Sequence, residues 1–190
     1  PLLGIRNQEM EIDWKMLVDH NARNAMVAVL AADHYGVSLK DSISSLQKFK
    51  GVAKRQDILL HTDELIIIED FAHHPTAIQT TIEGIKKKYP DHRLTVAIEL
   101  RSNTMKSGFH DDRLSEAVNS ADKVYWKSED SSHIESLVES LPNKSAKLDS
   151  NNVFINDFES MILKKEILII MSNGDFDGLP RDLLERYRND

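Results

Sequence analysis

Two runs of branched apolar residues, Leu65–Ile68 and Ile167–Met171, restrict what this chain can fold into more than any other feature. Each is strand-sized, and neither alternates with polar residues. A strand apolar at every position is buried on both faces, and so belongs in a sheet with helices packed on either side. Helical patterns supply those layers. Pro75–Lys88 carries Ile78, Ile82 and Ile85 on one face. Pro75 suits the first turn, and Lys86–Lys88 suit the dipole at the other end.

Strand–helix alternation continues to the C-terminus. The patterning predicts strands at Leu65–Glu69, Leu94–Glu99, Lys123–Trp126, Asn152–Ile155 and Glu166–Met171. It predicts helices at Asp111–Asn119, after a Ser132/Glu135 cap, at Asp157–Lys164 and from about Pro180. Ile58–Leu60 reads as an edge strand. The expected fold class is α/β, a Rossmann-like, mostly parallel sheet with helices on both faces. Upstream, a helix is expected over Ala22–Tyr35, with Met26, Val29 and Leu30 on one face and Gly36 ending it. A second, capped by Ser38 and Asp41, carries Ile43, Leu46 and Phe49. Asp13–Val18 reads as a short helix or strand. Gly51 is the expected boundary, giving a helical segment over 1–50 and the α/β domain over 51–190.

The 190 residues fit one domain plus part of another. With 31 acids against 24 bases the net charge is −7, which excludes a general nucleic-acid binder, since phosphate contact needs a basic footprint. The apolar runs fall far short of the roughly 20 residues of a membrane helix, so no membrane partner is expected. No cysteine is present, which excludes thiolate zinc sites and a cysteine nucleophile and fits a reducing, cytoplasmic location. The first residue is Pro, so a processed or excised piece of a longer chain is expected.

In open α/β sheets, ligands bind beyond the carboxyl ends of the strands. Three polar loops fall there: Asp70-Phe71-Ala72-His73-His74-Pro75, Arg101-Ser102-Asn103-Thr104-Met105-Lys106, and Ser172-Asn173-Gly174-Asp175-Phe176-Asp177-Gly178. Asp70 can accept from ribose hydroxyls or serve as a turn residue. Arg101 offers a two-pronged carboxylate fork, with Ser102, Asn103 and Thr104 as donors and acceptors, or it pairs with Glu99 or Asp112 in a solvated turn. Ser172-Asn173-Gly174 offers backbone amides to an anion. Asn21 and Asn24, near His20, share a helix face and can read the adenine edge or cap the helix. Lys54-Arg55 can reach phosphates. His73 and His74 are adjacent, so they point apart and make a poor metal pair; capping of the next helix or contact with a base fits them better. No Gly-x-x-x-x-Gly-Lys-Ser/Thr is present, so nothing here cradles a triphosphate.

Five ordered motifs give a resemblance: His-Asn-x-x-Asn-Ala (20–25), Phe-x-Gly-Val-x-x-Arg (49–55), Asp-Phe-Ala-His-His-Pro-Thr-Ala (70–77), Arg-Ser-Asn-Thr-Met-Lys (101–106) and Met-Ser-Asn-Gly-x-Phe-x-Gly (171–178). Together, from about His20 to the C-terminus, they resemble the Mur ligase family: its C-terminal Rossmann-like domain with the last helices of its central ATPase domain. The 101–106 and 172–174 loops resemble the branch that joins L-Ala-γ-D-Glu-meso-diaminopimelate to UDP-N-acetylmuramate in peptidoglycan recycling. The resemblance implies that ATP and magnesium activate the muramyl carboxylate as an acyl phosphate, which the peptide amine attacks.

By the same resemblance, His20, Asn21, Asn24, Arg55, Asp70 and His73 border the nucleotide. Arg101, Ser102, Asn103, Thr104, Ser172 and Asn173 face the tripeptide. No catalytic or metal-binding residue is expected in this chain. The implied partners are the N-terminal and central domains of the same ligase, with self-association through residues 1–50 as a further expectation. The P-loop, the magnesium ligands and the UDP-sugar site belong to those domains, so the chain alone is expected not to turn over. Leu100 stands where the family usually has Pro, Lys54 where it has Arg, Gln56 where it has an apolar residue, and Asp175 and Asp177 where it has glycines. Two other readings are a stand-alone nucleotide- or peptide-binding module and a metal-dependent hydrolase using His73 and His74.

Overall fold

The computed structural model describes residues 2–5, 8–11, 19–49, 52–101, 111–162 and 165–188. The chain divides into two compact units, residues 1–52 and 53–190. The expected strand or helix at Asp13–Val18 and the boundary residue Gly51 lie outside the described residues.

In the first unit, β1 (Leu2–Ile5) pairs antiparallel with β2 (Gln8–Glu11). Helix α1 (Asp19–His34) is followed by Gly36 in the left-handed region at φ +85°, a conformation glycine takes without strain. Ser38 caps α2 (Leu39–Lys48): its Oγ accepts from the Asp41 backbone amide at 3.1 Å. The buried residues of the pair are Ala25, Val29, Leu39 and Ile43. Of the three residues expected on one face of this helix, Val29 is buried, while Met26 and Leu30 stand about half exposed. The small Ala25 takes the inward position one turn before Val29.

The second unit holds a six-stranded sheet in the order β3-β4-β8-β5-β6-β7. Its strands are β3 (Asp57–His61), β4 (Leu65–Asp70), β5 (Arg93–Glu99), β6 (Lys123–Lys127), β7 (Ser145–Lys147) and β8 (Glu166–Met171). β3 is an antiparallel edge strand and all other pairings are parallel. The intervening helices are α3 (Pro75–Lys88), α4 (Asp111–Ala117), α5 (Ser131–Ser140), α6 (Asn151–Met161) and α7 (Leu179–Arg188). Alternate strand residues point to opposite faces. Leu65, Ile67, Leu168 and Ile170 form one core with Phe154 and Phe158 of α6 and Leu183 of α7. Their neighbours Ile66, Ile68, Val96 and Ile98 serve the other face, and Ile78, Ile82 and Ile85 of α3 are likewise fully buried.

Two predicted elements are corrected. Asn152–Ile155 is not a strand, and the helix expected from Asp157 begins earlier: Asn152–Ile155 and Asp157–Met161 both lie in α6, and Lys164 lies outside the described residues. Ser150 caps it, accepting from the Val153 amide at 3.3 Å, and Phe154, Ile155 and Phe158 form one buried helical face. The β-branched Val153 and Ile155 imitate a strand, but a serine cap and a three-to-four-residue apolar period decide for helix. The strand in this region is the short edge segment Ser145–Lys147. Helix α5 is capped by Asp130, not by Ser132; its Oδ1 accepts from the Ser132 and His133 amides.

Glu166 opens β8 at the end of the sheet away from the polar loops. It is 2% exposed, and Thr95 Oγ1 donates to its Oε1 at 2.6 Å. Burial pushes its carboxyl above the ordinary value, against the Thr95 hydrogen bond and the charge of Arg93. The folded state therefore holds this proton more tightly than the unfolded state. Stability is lost as pH rises from the ordinary carboxylate value through the raised one. Glu166→Gln is expected to be more stable than the wild type at neutral pH, with the difference closing toward pH 4, as read by urea titration at each pH.

Candidate functional site

The chain leaves β4 for α3, on one face of the sheet, and leaves β8 for α7, on the other. β8 lies between β4 and β5 and points the same way as both, so the sheet has its topological switch beside β8. In register, Asp70 is opposite Met171, and Ile98 is opposite Met171 on the other side. The loops after all three strands therefore share one edge. The antiparallel β3 adds a fourth segment, because Asp57 pairs with Glu69 and the turn at 53–56 arrives beside Asp70.

Asp70 is buried, and its carboxylate organises this edge. Oδ2 accepts from the Gln56 amide at 2.9 Å and Oδ1 from the Ala72 amide at 2.8 Å. Its carbonyl accepts from the Ser172 amide at 3.1 Å. Arg55, in the adjoining turn, lies with its guanidinium carbon 5.1 Å from the centre of the Phe71 ring. His73 meets that ring edge-on, and its Nδ1 donates to the Phe71 carbonyl at 2.9 Å. His74 occupies the N-cap position of α3 without capping it through its side chain. Among the described residues no group of three His, Asp or Glu side chains could hold a metal ion.

On the other side of β8, Ser172 is 4% exposed. Its hydroxyl donates to Glu99 Oε2 at 2.5 Å and accepts from the Gly174 amide at 2.8 Å. The donor of Ser172 is thus spent inside the protein, and the side chain shapes the loop. Arg101 is half exposed; its Nη1 lies 3.4 Å from Asp175 Oδ1 and 3.9 Å from Glu99 Oε2. The guanidinium lies so close over Gly174 that a Cβ there would collide with it. Lys54 Nζ donates to the Gly174 carbonyl at 2.6 Å and pairs with Glu69 at 3.2 Å. Asn173 Oδ1 is enclosed with no hydrogen-bond partner.

Two acidic residues of the 172–178 loop both have cationic neighbours. Asp175 faces Arg101, and Asp177 pairs with Lys127 at 2.6 Å. The hydrogen bond and charge of Lys127 hold the Asp177 carboxyl below its usual range. Phe176 and Asp177 both take left-handed backbone, at φ +53° and +49°.

Asp70, Arg55, His73, Arg101, Ser172 and Asn173 are all set around the ends of β4, β8 and β5. His20 and Asn21 fall in the first turn of α1, where their side chains are not among those described; Asn24 is exposed on the same helix. Ser102, Asn103 and Thr104 lie outside the described residues. Sequence reasoning missed Glu99 as a site residue and missed the reach of Lys54 and Lys127. Glu99 carried a usable signal: it follows Thr95 and Ala97 at period two on a buried strand, so a carboxylate was being placed inside.

Gln56 shows a further departure. It is 6% exposed and left-handed at φ +54°, and neither polar atom of its side-chain carboxamide has a partner. An unpaired buried amide costs about 1–3 kcal/mol. Gln56→Leu is expected to raise stability by about 1–2 kcal/mol in a urea titration.

Residues 54–175 match the family described as Mur ligase, glutamate ligase domain. The chain belongs to the Mur ligase family. The UDP-N-acetylmuramate–L-alanyl-γ-D-glutamyl-meso-2,6-diaminoheptandioate ligase of Haemophilus influenzae is 30% identical over 183 residues, 94% of this chain and 40% of the relative. Its Escherichia coli counterpart is 29% identical over 180 residues, 92% of this chain and 39% of the relative. The crystal structure of a murein peptide ligase from Psychrobacter arcticus superposes with a TM-score of 0.71 at 34% identity, covering 98% of this chain and 40% of that one. The chain thus spans about two fifths of the length of these Mur ligases. Among the described residues no helix is long and apolar enough to cross a membrane.

Proposed function

We propose that this chain is the acceptor-binding part of an ATP-dependent ligase that joins L-Ala-γ-D-Glu-meso-diaminopimelate to UDP-N-acetylmuramate in peptidoglycan recycling. The observation that carries the reading is the convergence of Arg101, Gly174 and Asp70 on one sheet edge at the switch beside β8. Arg101 presents a cation, half open to solvent, at the end of β5, and Gly174 of the neighbouring loop leaves the room its guanidinium occupies. That suits a carboxylate of a peptide. Among the described residues the one hydroxyl–carboxylate pair at this edge, Ser172 with Glu99, is buried and shapes the loop. In this reading the edge holds and orients the acceptor amine.

The opposite side of β8 fits a nucleotide. Asp70 places a carboxylate at the end of β4, with a backbone amide on each oxygen, and Arg55 is an exposed cation in the adjoining turn. ATP, with magnesium, supplies activation of the muramyl carboxylate when bound. The residues that cradle its phosphates and the metal belong to the N-terminal and central domains of the ligase. The boundary near residue 50 separates the last helices of the central domain from the acceptor-binding domain. The exposed Met26, Val27 and Leu30 pack on the central domain in the intact ligase. The test is ADP release with UDP-N-acetylmuramate and tripeptide, compared between this chain and a full-length ligase carrying it. The full-length protein is expected to turn over and this chain alone is not. Turnover by the chain alone, or a full-length protein indifferent to the tripeptide, overturns the reading.

A further inference from the structure

We propose that Lys54 is a positioning residue that fastens the acceptor-facing loop 172–174 to the nucleotide-facing turn 53–56, so that the two respond to ligands together. The inference rests on the reading of 172–174 as part of the acceptor seat. The Gly174 peptide is fixed on three sides. Ser172 Oγ takes its amide, Lys54 Nζ takes its carbonyl, and the Arg101 guanidinium covers its Cα. The first and third of these come from the loop itself and from the end of β5. Lys54 brings the second from 120 residues away along the chain.

The turn that carries Lys54 is itself unusual. Lys54 and Gln56 both hold left-handed backbone, at φ +58° and +54°, which side chains with a Cβ adopt at a cost. Contacts to the rest of the sheet edge hold it there: the Gln56 amide to Asp70, and Lys54 to both Glu69 and Gly174. Asp70 makes a second link across the same gap, since its carboxylate takes the Gln56 amide while its carbonyl takes that of Ser172. Arg55 sits between the two strained residues. An anion drawn to Arg55 therefore pulls on a turn whose neighbouring side chain holds the glycine under Arg101. A ligand on one side of β8 stabilises the arrangement the other side needs, and such coupling is reciprocal.

The experiment uses the whole chain in three forms: wild type, Lys54→Met, which keeps the stem and loses the ammonium, and Lys54→Arg, which keeps a cation. Backbone ¹⁵N relaxation reads the order of 172–175 without ligand. A titration with L-Ala-γ-D-Glu-meso-diaminopimelate, with and without ATP–magnesium, reads affinity and coupling. In Lys54→Met, order is expected to fall at 172–175 alone. The tripeptide dissociation constant rises about tenfold, and the tightening by nucleotide seen in the wild type is lost. Lys54→Arg restores all three. Unchanged order and affinity in Lys54→Met overturns the proposal. Loosening of 172–175 in Lys54→Met, with no tripeptide response in the wild type, supports the positioning role and overturns the acceptor reading.

Discussion

Asp70→Ala is expected to cost the α/β domain about 3 kcal/mol, read as a lower urea midpoint at unchanged slope. The carboxylate is buried and accepts the amides of Gln56 and Ala72, and both lose their partner when it is removed. Charge-assisted bonds of this kind contribute about 1.5–3 kcal/mol each, and the orphaned amides add a desolvation penalty that partial exposure of the turn reduces. Asp70→Asn keeps one acceptor oxygen but turns a donor toward the other amide, so about half the loss is expected. The damage should be local in character. The turn at 53–56 comes free of β4, while the apolar strands beneath it stay packed.

Arg101→Met is expected to behave in the opposite way, with little change in stability and a large change in binding. The guanidinium is half exposed, and its neighbours Asp175 and Glu99 lie at 3.4 and 3.9 Å. Exposed pairs of that geometry contribute about 0–1 kcal/mol. A peptide carboxylate held by two parallel charge-assisted bonds is another matter, and its loss corresponds to on the order of 100-fold in affinity. Arg101→Lys keeps the charge without the fork and should recover only part of the loss. Calorimetry with the tripeptide separates the three. An unaltered dissociation constant in Arg101→Met would remove Arg101 from the acceptor seat.

The two variants probe sides of the site that were unequally visible in the sequence. The strands Leu65–Asp70 and Glu166–Met171 were legible because their apolar residues are uninterrupted, and Pro75–Lys88 because its proline, its period and its lysines all agree. The edge on which the loops meet followed from parallel strands alone. Helix α6 was misread at its start because Val153, Phe154 and Ile155 look like a strand when taken without the Ser150 cap. What no local pattern could supply were the long-range partners. Lys54 finds a carbonyl at Gly174, Lys127 finds Asp177, and Glu99 takes the hydroxyl of Ser172. Each depends on which strand lies beside which, and β8 enters between β4 and β5 only after the chain has laid down β6 and β7. The approach of Arg101 to Asp175 likewise depends on the ends of β5 and β8 lying side by side.

The most direct measurement is an NMR titration of this chain with L-Ala-γ-D-Glu-meso-diaminopimelate. Saturable shifts gathered at Arg101 and along 172–178, with a smaller response at Lys54, are the predicted result. No shift up to millimolar tripeptide, or shifts confined to residues away from the ends of β4, β5 and β8, would contradict the claim that this domain carries acceptor recognition.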